Sequence, residues 1–227
     1  MLQVIQLHKK YDELQLRYGD PTLSSIYGAG CIENPEMMFI FMNPTGRNVS
    51  SALSWKGLRA PWIGTKQVWD IFEGLGLLKF EIHSTIKSIK PEEWNSDFAN
   101  QVYEDIRNNS VFITNLAKCT QVDARPLGNS VFKDYLNLMY KEIEIVNPKK
   151  IVTFGNQVSS ILLGKKTSVS NYTDNKKEIL NGYNIYPTYY PVGQGRRNMP
   201  LAIERIKMIM VDDTKIHGTK EENIHYN

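Results

Sequence analysis

The chain has 227 residues, 41% of them apolar and 22% charged, the composition of an ordinary globular protein long enough for one α/β domain with a substantial core. Its formal net charge is only +3, so bulk charge forces no polyanionic partner upon it. Two cysteines, Cys31 and Cys119, exclude a disulfide framework or a cysteine-rich metal site and fit a reduced, cytoplasmic setting.

Leu2 to Tyr18 carries apolar residues at helical spacing and stops at Gly19-Asp20-Pro21, which predicts an N-terminal helix. Its apolar start, Leu2 to Leu7, runs into Lys9 and Lys10 and does not read as a signal peptide. Met37 to Met42 is a continuous apolar run suited to a strand buried on both faces, and it ends in the turn sequence Asn43-Pro44-Thr45-Gly46. Thr65 is placed to cap a helix through Val68, Ile71 and Phe72 towards Gly76. Phe98 to Asn108 predicts another helix, and Ser110 to Asn115 a second buried strand. Asn129 or Ser130 starts a long amphipathic helix through Leu136, Met139 and Ile143 that stops before Pro148. Lys150 to Phe154 is a third strand, followed by Gly155 and a helix from Asn156 to Leu163. Asn184 to Tyr189 is a fourth strand, and Asn198 to Val211 a last helix with Pro200 in its first turn. Asp212 to Asn227 reads as a polar, flexible tail. No apolar run reaches the roughly 20 residues of a membrane span.

Strands alternating with helices imply a three-layer α/β/α domain over residues 1–211, with a mostly parallel central sheet of about four strands. Ligands in such folds bind beyond the carboxyl ends of the strands. That rule singles out Asn43-Pro44, Asn115 and Tyr189-Tyr190-Pro191, which leave the first, second and fourth strands on one edge of the sheet. A GxxxxGK[ST] phosphate loop and a GxSxG nucleophile elbow are both absent. Gly193-Gln194-Gly195 lacks the third glycine of a dinucleotide site. His8, His83, His217 and His225 are isolated, without a ligand partner at helical spacing, so no metal is expected.

Several segments, in order, resemble the uracil-DNA glycosylase superfamily. Phe39-Ile40-Phe41-Met42-Asn43-Pro44 is similar to its first motif, in the Met-Asn-Pro form of the mismatch-specific and single-strand-selective branches. Ala60-Pro61-Trp62-Ile63-Gly64 resembles the Pro-Phe-Val-Gly segment that supplies a base-stacking aromatic. Thr114-Asn115-Leu116-Ala117-Lys118-Cys119 is similar to the Thr-Asn-Val-Val-Lys-Cys strand of the iron–sulfur branch. Asn147-Pro148-Lys149-Lys150-Ile151-Val152 through Gly164 resembles that branch's next helix–strand–helix. Pro187-Thr188-Tyr189-Tyr190-Pro191 through Arg197-Asn198 resembles its Pro-Thr-Tyr-His-Pro…Arg-Asn segment.

The resemblance implies a DNA glycosylase that flips a base from the stack and hydrolyses its N-glycosidic bond. It assigns Trp62 to stacking on the base, Asn115 to reading the pyrimidine edge with its amide, and Asn43 to orienting the attacking water. Met42 and Pro44 flank the base, and Tyr190 stands where the family's histidine donates to the departing base. Lys118, Gly193, Gln194, Arg196, Arg197 and Asn198 are expected along the DNA, the arginines on phosphates. Of the four cluster cysteines only Cys119 stands at a matching position, so neither an iron–sulfur cluster nor another cofactor is expected. Tyr190 for histidine and Thr45 for glycine change the pocket, leaving uracil or a modified pyrimidine such as a modified cytosine as the expected substrate. The expected partner is DNA, with no membrane, and the protein a monomer. The alternatives are a non-catalytic relative that senses a base or abasic site, and a nucleoside or nucleotide enzyme on the same scaffold.

Overall fold

The computed structural model describes residues 2–124 and 127–211. The strands are β1 (Ala29–Gly30), β2 (Met37–Phe41), β3 (Val111–Asn115), β4 (Lys150–Phe154), β5 (Glu178–Leu180) and β6 (Tyr183–Thr188). They form one sheet in the order β1-β3-β2-β4-β6-β5. The four inner strands run parallel, and the two short edge strands are antiparallel to their neighbours. Every residue of β2, β3 and β4 is buried, which is why their sequences are near-continuous apolar runs rather than alternating ones.

Seven helices among the described residues cover the two faces: α1 (Leu2–Tyr18), α2 (Trp69–Gly74), α3 (Phe80–Ser88), α4 (Ser96–Asn108), α5 (Asn129–Val146), α6 (Asn156–Leu163) and α7 (Met199–Val211). Side chains of a strand alternate between faces, so β2 divides its residues between two cores. Met37, Phe39 and Phe41 pack with residues of α2, α3, α4 and α7, whereas Met38 and Ile40 pack with residues of α1, α5 and α6. The mostly parallel three-layer α/β/α architecture read from the sequence is the one observed. Among the described residues no helix is long and apolar enough to cross a membrane.

Three expectations need correction. The sheet has six strands, not four: β1 spans two residues and carries no readable periodicity. β5 joins β6 through Asn181-Gly182, both with positive φ (51° and 86°), an Asn-Gly hairpin signal that the sequence carries. Thr65 does not cap the following helix, which begins at Trp69 after Val68; its hydroxyl donates to the Trp62 carbonyl at 2.8 Å. The helix α3, with Ile82 and Ile86 buried four residues apart, is an element beyond those expected. The tail expected over 212–227 lies outside the described residues.

The connection from β2 leads to β3 on one side, and the connection from β4 leads to β5 and its hairpin partner β6 on the other. Adjacent strands whose connections diverge leave a crevice beyond their carboxyl ends, where ligands of such folds bind. Phe41 is registered with Asn115, and Phe154 with Thr188, so the loops that follow open on the same edge.

Candidate active site

A cavity of about 570 Å³ lies on that edge, in the size range of small-ligand pockets. Asn43, Pro44, Trp62, Asn115, Tyr190 and Gly193 line it, so residues far apart in the chain converge there. Period two decides this. Asn43 follows Phe41 by two residues and Asn115 follows Ile113 by two, so each is expected on the face their strands share with Trp62.

Asn43 is partly exposed; its Nδ2 donates to the Pro44 carbonyl at 3.1 Å, and its Oδ1 takes no hydrogen bond from a described residue. Asn115 ends β3 with only 2% of its surface exposed, and no described residue hydrogen-bonds its amide. Its peptide is held at both ends. The carbonyl accepts from Lys118 Nζ at 2.6 Å, and the following N–H, of Leu116, donates to the Phe41 carbonyl at 2.7 Å.

Trp62 sits at φ +69°, a left-handed conformation that costs a bulky residue about 1–3 kcal/mol. The turn around it is pinned carbonyl by carbonyl. Asn48 Nδ2 donates to the Ala60 carbonyl at 2.7 Å and Tyr103 Oη to that of Pro61 at 2.6 Å. The Trp62 carbonyl accepts from the Thr65 backbone and hydroxyl and from Trp69 Nε1. The Trp62 and Phe41 rings meet in a T-shaped contact, 4.9 Å between centroids and 74° between planes, and Phe41 in turn stacks on Phe154 at 4.3 Å. The indole is thus held by its backbone and a T-shaped contact.

Tyr190 is half-buried at the cavity wall, and burial pushes its phenol above the ordinary value near 10. Its position rests on two glycines. A Cβ on Gly195 would stand 2.1 Å from the Tyr190 carbonyl oxygen, and one on Gly155, at φ +88°, 3.3 Å from Tyr190 Cβ. Gly195 therefore serves close backbone approach and adds no room beside the base. Gly193 does line the cavity, and its N–H donates to Gln67 Oε1 at 3.2 Å.

Two assignments made from the sequence are overturned. Met42, the residue between Phe41 and Asn43, packs with the core of α1, α5 and α6, on the face away from the cavity. Lys118 is fully buried, with its ammonium on Thr114 Oγ1, the Asn115 carbonyl and Glu142 Oε2, and reaches no DNA phosphate. Gln194, Arg196 and Arg197 are exposed and Asn198 partly so, all on a 3-10 turn over Gly193–Asn198 beside the cavity mouth. The sequence reading missed Arg47, Lys66 and Gln67, which also line the cavity; lone polar residues in loops carry no periodic signal. An iron–sulfur cluster takes four thiolates, whereas this sequence has two cysteines, and burial raises the Cys119 thiol above its ordinary value. The residues do not fit such a cluster.

Residues 27–207 match the family model described as the uracil DNA glycosylase superfamily. The chain is also similar to the Type-4 uracil-DNA glycosylase of Thermotoga maritima, 29% identical over 117 residues, which is 51% of this chain and 60% of that protein. The matched segment therefore spans less than two thirds of that relative's length. The family match embraces the strand ends, the Trp62 turn and the Tyr190 loop together, and the chain belongs to the uracil DNA glycosylase superfamily.

Proposed function

We propose that the protein is a monofunctional DNA glycosylase, acting through one domain over residues 1–211. The observation that carries this reading is the convergence of Asn43, Trp62, Asn115 and Tyr190 on one cavity in a member of this superfamily. A base flipped from the stack enters the cavity and lies against Trp62. Asn115 meets its edge; a half-turn of the amide exchanges donor and acceptor, which suits the edge of uracil or that of a cytosine. The bond from the sugar's anomeric carbon to the base breaks, its electron pair leaving with the base. Tyr190 donates a hydrogen bond to the base oxygen on which that charge collects. A water oriented by Asn43 Oδ1 bonds to the anomeric carbon, and its proton balances the charge of the departed base. Arg196 and Arg197, with Gln194 and Asn198, hold the DNA backbone at the mouth.

Substrates are uracil and, comparably, a modified cytosine. The test is single-turnover excision from matched oligonucleotides bearing uracil, hypoxanthine, xanthine and modified cytosines. Abasic sites are expected, with the best modified cytosine within roughly 100-fold of uracil, the gap that unpaired polar groups produce at a mismatched edge. A larger gap in favour of uracil against every modified cytosine rejects the altered base choice. Tight DNA binding with no abasic site from any base points instead to a non-catalytic sensor, the reading that Tyr190 in place of histidine favours.

Two further expectations follow. A raised phenol pKa keeps the proton on Tyr190 below that raised value and releases it only above, so the donor persists through neutral pH. The single-turnover rate should be level from about pH 6 to 9, without the step that a histidine of ordinary pKa near 6.5 gives. A step centred there rejects Tyr190 as donor. With two cysteines in the whole sequence, full activity is expected after exhaustive chelation and in a colourless preparation; loss of activity restored by metal counts against it.

A further inference from the structure

Behind Asn115, on the opposite face of β3, lies a charged pair that the proposed chemistry does not use. Lys118 and Glu142 are both fully buried, with Lys118 Nζ 2.6 Å from Glu142 Oε2. An ammonium has three donors, and all three are engaged here, by Thr114 Oγ1, the Asn115 carbonyl and Glu142 Oε2. Thr114 closes the ring by donating to Glu142 Oε2 at 3.1 Å. The Tyr11 ring of α1 covers the ammonium at 5.2 Å. Glu142 Oε1 has no hydrogen-bond partner among the described residues.

Such a pair is an expensive way to fill space. Apolar side chains of similar volume commonly serve stability as well or better. What they cannot do is hold a carbonyl. The peptide joining Asn115 to Leu116 is gripped through its oxygen by Lys118 and through its N–H by the Phe41 carbonyl. The next N–H, of Ala117, donates to the Met42 carbonyl at 3.0 Å, immediately before Asn43. The turn of the Asn115 backbone, and with it the direction of its side chain, is set against the strand that carries Asn43.

We propose that the buried Lys118–Glu142 pair is a positioning device for base recognition: Lys118, oriented by Glu142 and Thr114, clamps the Asn115 carbonyl and so aims its amide at the base. This rests on the reading of Asn115 given above. Lys118 and Glu142 touch no substrate; they are positioning residues.

The experiment compares wild type with Lys118→Met/Glu142→Leu, which removes both charges together, with Glu142→Gln, which keeps an acceptor for the lysine, and with Asn115→Ala. Where the double variant does not fold, Lys118→Gln/Glu142→Gln, a neutral pair, takes its place. Two quantities are read in full-length protein at a temperature where the melting curve of each variant shows it folded. One is hydrogen-exchange protection of the Leu116 amide. The other is the binding preference for an oligonucleotide with 2′-fluoro-2′-deoxyuridine over the same strand with thymidine.

In the double variant Leu116 protection is expected to fall about tenfold or more, and the base preference about tenfold, while affinity for the thymidine strand stays within about twofold. Glu142→Gln is expected to retain both quantities largely. Unchanged Leu116 protection in the double variant overturns the clamp, whatever the ligand. If Asn115→Ala loses the preference and the double variant keeps it, the clamp fails and the reading of Asn115 stands. If Asn115→Ala itself keeps the preference, the reading of Asn115 fails and the proposal with it.

Discussion

Asn43→Ala is expected to slow single-turnover excision by about 100-fold or more while changing affinity for the DNA less than about twofold. The side chain lines the cavity, its Nδ2 is committed to the Pro44 carbonyl, and its Oδ1 is left to orient a water. A neutral amide is a poor base, but the anomeric carbon becomes cation-like as the base departs, and such a centre needs an aligned water more than a strong base. Alignment that matters in the transition state and not in the bound ground state lowers the rate without weakening binding. Little stability is at stake, since the substitution removes one hydrogen bond at a partly exposed position. Parallel single-turnover and equilibrium binding measurements decide it. If affinity falls as far as rate, Asn43 shapes the Asn-Pro turn and does not act on water.

The second large effect is on stability. Lys118→Met alone is expected to cost about 3–5 kcal/mol, because it strands the Glu142 carboxylate in a site without exposure to water. For a chain of this size that corresponds to a fall in melting temperature on the order of 10 °C. Burial depresses the Lys118 ammonium below its ordinary value, and the Glu142 carboxylate opposes this, so each charge is tolerated only with the other. Removing both, as in Lys118→Met/Glu142→Leu, should recover most of the loss. A double variant as unstable as the single would mean that packing around α5, and not the stranded charge, sets the cost. Thermal unfolding of the single and double variants makes the comparison.

Much of this was legible in the residues, for identifiable reasons. Strands buried on both faces must be apolar throughout, so Met37–Phe41, Val111–Asn115 and Lys150–Phe154 announced themselves, and with them the parallel sheet. The strand-end rule then picked out Asn43, Asn115 and Tyr190 before any coordinates, and the order of motifs named the superfamily to which the chain belongs. The edge strands escaped because two or three residues carry no period, although Asn181-Gly182 did mark the hairpin. Glu142 also left a trace. It shares the apolar stripe of α5 with Tyr135, Met139 and Val146, where a carboxylate is out of place unless something buried answers it.

What the sequence determined by itself was local and periodic: which segments bury two faces, where they stop, and which polar residues stand at those stops. Direction was decided only by the tertiary structure. Lys118 reads as a surface cation in any one-dimensional view, and it turns inward because Glu142, 24 residues further on, waits behind the sheet. Met42 and Asn43 are neighbours in the chain and end on opposite faces because a strand alternates its side chains. Gly195 is required by the Tyr190 carbonyl, 2.1 Å from where its Cβ would lie. Lys118 depends on a partner distant in sequence, and pairings across such distances are set by the packing of the whole chain rather than by local pattern, while the Gly195 contact depends on how the loop after β6 folds back on Tyr190.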